Sequence, residues 1–233
     1  AKAAERGDPT AWDPLLRQTA RTRETHFLTR AVEHAGDRDL IIPDEHLQAS
    51  SSIAAALVQD ADQDRRARGY ELFAELLLQP GAAPVPADAV LRALEERQLQ
   101  VVTKGLTLVE RMLERQPEQL SPPHIATDVE QGLRRWTNPG GSATQEVVAR
   151  AQRCLGDLFC RVVPLDSEEE LRRTLSEARR LSLSEETKIP RRGYWHLVAR
   201  LAGTDAVAAV DELVRASRAV HDRFGNDRPS WRT

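Results

Sequence analysis

The chain has 233 residues, with 33 Lys or Arg against 36 Asp or Glu, for a net charge of −3. That balance excludes a protein that holds nucleic acid through its overall field, and a chain of this length buries roughly 70 to 75% of its unfolded surface, so it needs no metal or disulfide staple. Hydrophobic residues at 40%, charged residues at 30% and aromatics at only 4% are the balance of amphipathic helices rather than of sheets.

Proline marks most helix starts, because its fixed φ suits the first helical position and no amide donor is needed there. Asp13-Pro14 opens a first helix whose apolar residues, from Leu15 and Leu16 through Phe27, Leu28, Ala31 and Val32, run to a Gly36 C-cap. Pro43 opens the second, lined by Leu47, Ile53, Ala54, Leu57 and Val58, and the polar 60–64 stretch turns the chain into a third that carries Ala67 to Leu78 and stops at Pro80-Gly81. Pro86 starts the next, and Leu99 to Leu113 forms its partner before Pro117. Ser121-Pro122-Pro123 caps a helix through Ile125, Val129, Leu133 and Trp136; Asn138-Pro139-Gly140-Gly141 breaks it and Ser142 caps the following one, which runs to about Val163. Ser167 with Glu170 forms a capping box for a helix through Leu171, Leu175, Ala178 and Leu181. After a polar linker from Ser184 to Pro190, two helices are expected at about 191–202 and from a Thr204 cap to about Phe224, with 226–233 a polar tail.

A repeat shows through these helices. Gly69-Tyr70-Glu71-Leu72-Phe73-Ala74-Glu75-Leu76-Leu77 aligns without gaps to the segment Gly105 to Leu113, and its apolar positions coincide; a third copy reads in Gly156 to Val163, where Leu158-Phe159 matches Leu72-Phe73. Each copy follows another helix, begun at Pro43, Pro86 or Pro122, so the unit is a helix pair of roughly 35 to 45 residues. On these segments, over 43–163, the chain resembles the HEAT/armadillo-like superfamily; tetratricopeptide repeats compete, but their tryptophan, tyrosine and small-residue spacing is missing. The resemblance implies an all-α fold: an α-solenoid of antiparallel helix pairs in a right-handed superhelical stack, one domain over 1–233, with 1–42 an N-terminal capping helix and 164–225 the C-terminal helices. It also implies a concave face of second helices that holds a partner peptide, protein or nucleic acid.

The chemistry for other functions is missing. No Walker loop, dinucleotide turn or Gly-x-Ser-x-Gly elbow occurs. Gly140-Gly141-Ser142 reads as an ordinary loop and cap rather than an anion cradle. His124 and Asp128 share a helical face, as a metal pair would, but lack a third ligand. Cys154 and Cys160, six apart on one helix, are about 9 Å apart along its axis, beyond disulfide reach, and read as core or half-buried thiols. They fit a reducing compartment such as the cytoplasm. No apolar run reaches the roughly 20 residues of a membrane span. A chain that opens with Ala-Lys-Ala-Ala-Glu, without an apolar signal region, is compatible with an excised portion of something larger.

Basic residues beside aromatics are the most suggestive feature: Arg134, Arg135 and Trp136; Arg191, Arg192, Tyr194 and Trp195; and Trp231-Arg232 in the tail. They could hold phosphates while stacking on bases, or grip an acidic peptide; the favoured reading is the plainer one, in which Trp136 and Trp195 fill gaps between repeats while the arginines point outward. The expectation is a non-enzymatic interaction or scaffolding module with a protein or peptide partner, without cofactor or metal. One alternative is nucleic-acid binding, since the chain is similar to HEAT-like alkylpurine DNA glycosylases in length, helix pairing and tryptophan near a basic surface, although none of their catalytic residues can be matched. Another is a regulatory or spacer domain of a larger sensor or membrane protein.

Overall fold

The computed structural model describes residues 9–38, 40–137, 143–182 and 192–225, the side chains of 9, 192 and 221–225 apart. Among them are eleven α-helices and no strand: α1 (Trp12–Thr22), α2 (His26–Asp37), α3 (Asp44–Val58), α4 (Gln63–Leu76), α5 (Ala87–Glu95), α6 (Leu99–Arg115), α7 (Pro123–Thr137), α8 (Gln145–Arg161), α9 (Glu168–Ser182), α10 (Arg192–Thr204) and α11 (Ala206–Gly225). Pro43 and Pro86 sit immediately before α3 and α5, and Pro123 is the first residue of α7. The Ser167 box forms as expected: its hydroxyl accepts from the Glu170 N–H at 3.2 Å and donates to the Glu170 carboxylate at 2.8 Å.

Three boundaries differ from expectation. The single helix from Pro14 to Gly36 is two, because Arg23 adopts left-handed backbone (φ 57°) and its N–H closes on Thr19 O, ending α1. Thr19 and Thr22 turn their hydroxyls back onto the carbonyls of Leu15 and Gln18, which weakens a helix locally, and Asp60 takes the displaced Arg23 guanidinium. The N-cap of α8 is Thr144, whose hydroxyl accepts from the Val147 N–H, rather than Ser142. Asp205, not Thr204, caps α11 through the Ala208 N–H at 3.0 Å; Thr204 ends α10 with its hydroxyl on Arg200 O. Segments 138–142, 184–190 and 226–233, with the breaker, linker and tail expected there, lie outside the described residues.

Packing follows a regular rule over most of the chain. Helices α3 and α4, α5 and α6, α7 and α8, and α10 and α11 pack as pairs; odd helices pack on odd (α1 on α3, α3 on α5, α5 on α7) and even on even (α2 on α4, α4 on α6, α6 on α8, α8 on α10). A continuous core runs through α1 to α8, filled by side chains such as Leu28, Leu47, Phe73, Leu106, Met112 and Phe159, each stabilising the fold by about 1.5–3 kcal/mol on burial. Around α9 the rule bends. This helix leans on α8, and a second core of Cys160, Ala178, Tyr194, Leu197, Leu201, Ala209 and Ala216 ties it to α10 and α11.

The aligned glycines explain the first two repeats and separate the third. A Cβ at Gly69 in α4 would lie 2.9 Å from Val58 N and 3.0 Å from Ala54 O of α3; at Gly105 in α6 it would lie 2.8 Å from Ala93 Cβ and 3.1 Å from Ala93 O of α5. In both, the second helix touches its own partner at bare backbone. Gly156 in α8 instead meets Ser182 and Leu181 of α9, the following helix, so it is not the positional equivalent of the other two.

Candidate interaction surface

Ion pairs link the even helices in succession. On α4, Arg68 reaches Glu24, just ahead of α2, at 2.6 Å; Lys104 of α6 reaches Glu71 of α4; and Arg150 and Arg153 of α8 reach Glu110 of α6 at 3.4 and 3.5 Å. Arg150 also donates to Thr107 Oγ1 at 2.9 Å. These partners lie 33 to 44 positions apart in sequence, so each pair is made by packing of one even helix against the next rather than by local spacing. Between α2 and α4 lies a cleft of about 430 Å³ lined by charged and polar groups including Glu24, His26, Arg30, Glu33, Arg68 and Glu71. Beside it, burial and then neighbouring Glu33 push the Glu75 carboxyl above its usual value. A partner's cation placed there would relieve that penalty.

The odd helices carry a second network. Glu130 in α7 accepts from Arg134 at 2.8 Å and from Arg173 of α9, while Arg134 also reaches Glu177 of α9 at 3.1 Å. Both guanidiniums lie over the ring of buried Phe159, their central carbons 5.9 and 5.5 Å from its centroid. Burial alone would raise the Glu177 carboxyl, but Arg180 and Arg134 outweigh it and hold it below its usual value.

Two buried carboxylates share one arrangement. Glu96, at the end of α5, accepts from Tyr70 Oη at 2.9 Å and from Arg66 at 2.6 and 2.8 Å; Glu212 in α11 accepts from Tyr194 Oη and from the Nε and Nη2 of Arg179. Burial pushes both carboxyls up, and the arginine and tyrosine donors more than reverse it. Burial and the carboxylate raise both phenols. With Tyr70 and Tyr194 fully buried, the Glu96 group fastens α4 to the end of α5, the Glu212 group fastens α9, α10 and α11, and neither carboxylate nor phenol is presented to solvent.

The basic and aromatic residues singled out in the sequence are thereby placed. Arg134 is engaged by two carboxylates, and half-buried Trp136 donates its Nε1 to Leu94 O of α5 at 3.2 Å, filling the α5–α7 contact. Arg135 is exposed beside a 220 Å³ cleft that includes Leu91, Glu95 and Asp128. Tyr194 is buried, and Trp195 is 40% exposed. Arg192 opens α10 with its side chain outside the described residues, as is all of Arg191 and Trp231-Arg232. The α7 and α10 segments each pack on α8.

Among the described residues, no group of three His, Cys, Asp or Glu could hold a metal, and no helix is long and apolar enough to cross a membrane. His124 and Asp128 are both exposed. Cys154 and Cys160 are free and fully buried although they point to different sides of α8, because α6, α7, α9 and α10 all pack on that helix. Burial pushes the Cys154 thiol well up and the Cys160 thiol to about 12. The buried carboxylates Glu96 and Glu212 and the Arg134–Glu177 pair escaped the sequence reading, since partners 18 to 43 residues apart leave no local signal. No family model, curated protein or solved structure matches this chain.

Proposed function

We propose that the chain is a non-enzymatic interaction module: a HEAT-like, right-handed α-solenoid that binds a protein or peptide partner along the face of its even-numbered helices. The observation that supports this reading is the packing rule, helix on next helix and on next but one, the pattern expected of repeats stacked side by side with one long face of second helices. That face is graded in charge. Glu33 and Glu75, in no ion pair among the described residues, lie at the α2–α4 end, and Arg161, likewise in no ion pair, lies on α8 beside Arg150 and Arg153, which are held by Glu110. A partner segment with basic residues toward the α2–α4 end and acidic ones toward α8 fits the gradient. Two of the clefts described are lined by charged or mixed groups, which suits a surface partner, while a third of about 260 Å³ between α1 and α3 is mainly apolar, lined by Ala20, Ile53, Ala56 and Leu57 with Thr19, Arg23 and Ser52. Against nucleic acid as the partner, Arg134, Arg173 and Arg179 are already committed to carboxylates.

The test is affinity capture from the source cell with three proteins: wild type, an even-face variant (Glu75→Lys, Arg153→Glu) and an odd-face control (Arg172→Glu). A partner retained by wild type and control but lost by the even-face variant supports the reading. Equal capture by all three, catalytic turnover by the purified chain, or a low-salt shift of DNA abolished by Arg135→Glu would overturn it.

A further inference from the structure

Two stripes of oxygen-bearing side chains run beside each other where α2 packs on α4. On α2, Thr29, Glu33 and Asp37 stand at i, i+4 and i+8, one face of the helix over about 12 Å; on α4, Glu71 and Glu75 are likewise one turn apart, and Gln79 follows just past the helix end. Thr29, Glu33 and Glu71 line the 430 Å³ cleft between the two helices. Burial, then Glu33, and further Glu71 and Asp37, raise the Glu75 carboxyl, so the stripes lie within each other's field; Arg111 of α6, itself paired to Glu114 at 3.3 Å, offsets this only in part.

Charge along this groove is unbalanced. Glu24 holds Arg68 and Glu71 holds Lys104, but Glu33, Asp37 and Glu75 are in no ion pair among the described residues, against one lining cation in the same condition, Arg30. The negative helix ends add to the excess, since α2 closes at Asp37 and α4 at Leu76. Two buried oxygens are also without a partner among the described residues: Thr29 Oγ1, on a residue of the cleft wall that is 9% exposed, and Gln79 Oε1, on a residue that is 5% exposed. The Gln79 side chain is fixed by its Nε2, which donates to Val32 O of α2 at 2.9 Å, so its oxygen stays at the α2–α4 contact. Buried oxygens of this kind are costly until an N–H reaches them.

A matching ligand carries two or more positive charges and several N–H donors. A metal ion does not fit, because these carboxylates are spread along the groove and no three of them converge as a metal requires. A chain does fit: successive carboxylates on each stripe lie one turn, about 6 Å, apart along the axis, and ammonium groups joined by three or four methylenes stand about 5–6 Å apart. We propose that the α2–α4 groove binds a linear polyamine, laid along the helices with its ammonium groups between Glu33 and Asp37 on one side and Glu75 on the other. The site lies at the acidic end of the face assigned above to a partner's basic residues and shares that reading's charge chemistry. It needs α2 and α4 alone, so a free amine can bind where partner capture fails, and the reverse.

Equilibrium dialysis of the full chain against labelled spermidine tests it, at about 20 mM salt, where screening is weak. One saturable site with a Kd of about 10 µM to 1 mM is expected. Glu33→Gln with Glu75→Gln weakens it about tenfold or more, whereas Glu169→Gln with Asp211→Asn, which removes the same charge from exposed positions on α9 and α11, leaves it unchanged. Butylamine, with one ammonium, binds about tenfold more weakly than spermidine, and an equal concentration of Mg²⁺ does not displace the label. Circular dichroism confirms that both double variants are folded. No saturable site below about 1 mM, equal weakening by the two double variants, or displacement by Mg²⁺ as effective as by unlabelled spermidine overturns the proposal. A trilysine peptide that binds tighter than spermidine also overturns it, by giving the groove to a partner's side chains.

Discussion

Replacing Gly105 by Ala asks one methyl group to enter the α5–α6 contact. In an open helix the change is favourable by about 1 kcal/mol, because glycine loses more backbone freedom on folding than alanine does. Here the new carbon would lie 2.8 Å from Ala93 Cβ and 3.1 Å from Ala93 O, against ordinary carbon contacts of about 3.5–4.0 Å. Ala93 is fully buried and has no rotamer to turn away, so the two helices must separate by roughly an ångström. Overpacking of this kind costs about 1–3 kcal/mol. Set against the helix gain, and with the clash at its most rigid, the net expectation is a loss of about 1–2 kcal/mol, or about 2–8 °C in Tm for a chain of this size. Gly203 in α10 is the internal control: nothing lies within 4 Å of its Cβ position, so Gly203→Ala gains a few tenths of a kcal/mol. Urea unfolding followed by circular dichroism measures both. A Gly105→Ala protein as stable as wild type would refute the reasoning that this glycine exists for close approach.

Four further outcomes follow from the buried charges and thiols. Glu96→Ala leaves the Arg66 guanidinium and the Tyr70 hydroxyl without their acceptor, and it lowers stability by about 3–5 kcal/mol in denaturant titration. The folded carboxyls of Glu96, Glu177 and Glu212 sit below their unfolded values, so their contribution is complete above about pH 5 and fades as the pH falls through the folded values. Glu75 runs the other way. Its raised folded value makes ionisation unfavourable to the fold, so Glu75→Gln increases Tm at pH 7 and the gain shrinks in acid, read from melting curves at both pH values. Cys154 and Cys160 react with a thiol reagent such as Ellman's far more slowly in native protein than in denaturant, and rapid native labelling would show that α8 is not enclosed.

Much of the helix order is legible in the sequence because proline and capping residues act locally. Pro43, Pro86, Pro123 and the Ser167–Glu170 box state their structural role within four residues. The break at Arg23 is hidden because an arginine in left-handed backbone has no compositional mark, unlike glycine, and its support comes from Asp60, 37 residues away. The glycine of the third repeat reads like the other two, yet it meets α9 instead of its own partner, a difference that only packing decides. Among the basic and aromatic candidates, Trp136 and Tyr194 could be located on helices but not sorted into buried or exposed, since a backbone carbonyl at Leu94 and a carboxylate at Glu212 decide their roles.

The most direct test of the account is a set of pulsed electron-spin distances across the even helices. The native thiols are buried, so labels attach selectively at cysteines introduced for Arg30 in α2 and, one at a time, for Arg111 in α6, Arg153 in α8 and Ala199 in α10. With about 9 Å between neighbouring packed helices, a stack places the second label about 18, 27 and 36 Å from the first, before the label arms are added. A steady lengthening in that order is the predicted result. Three similar distances, as in helices gathered around one centre, would contradict the stacked-repeat reading and the interaction surface built on it.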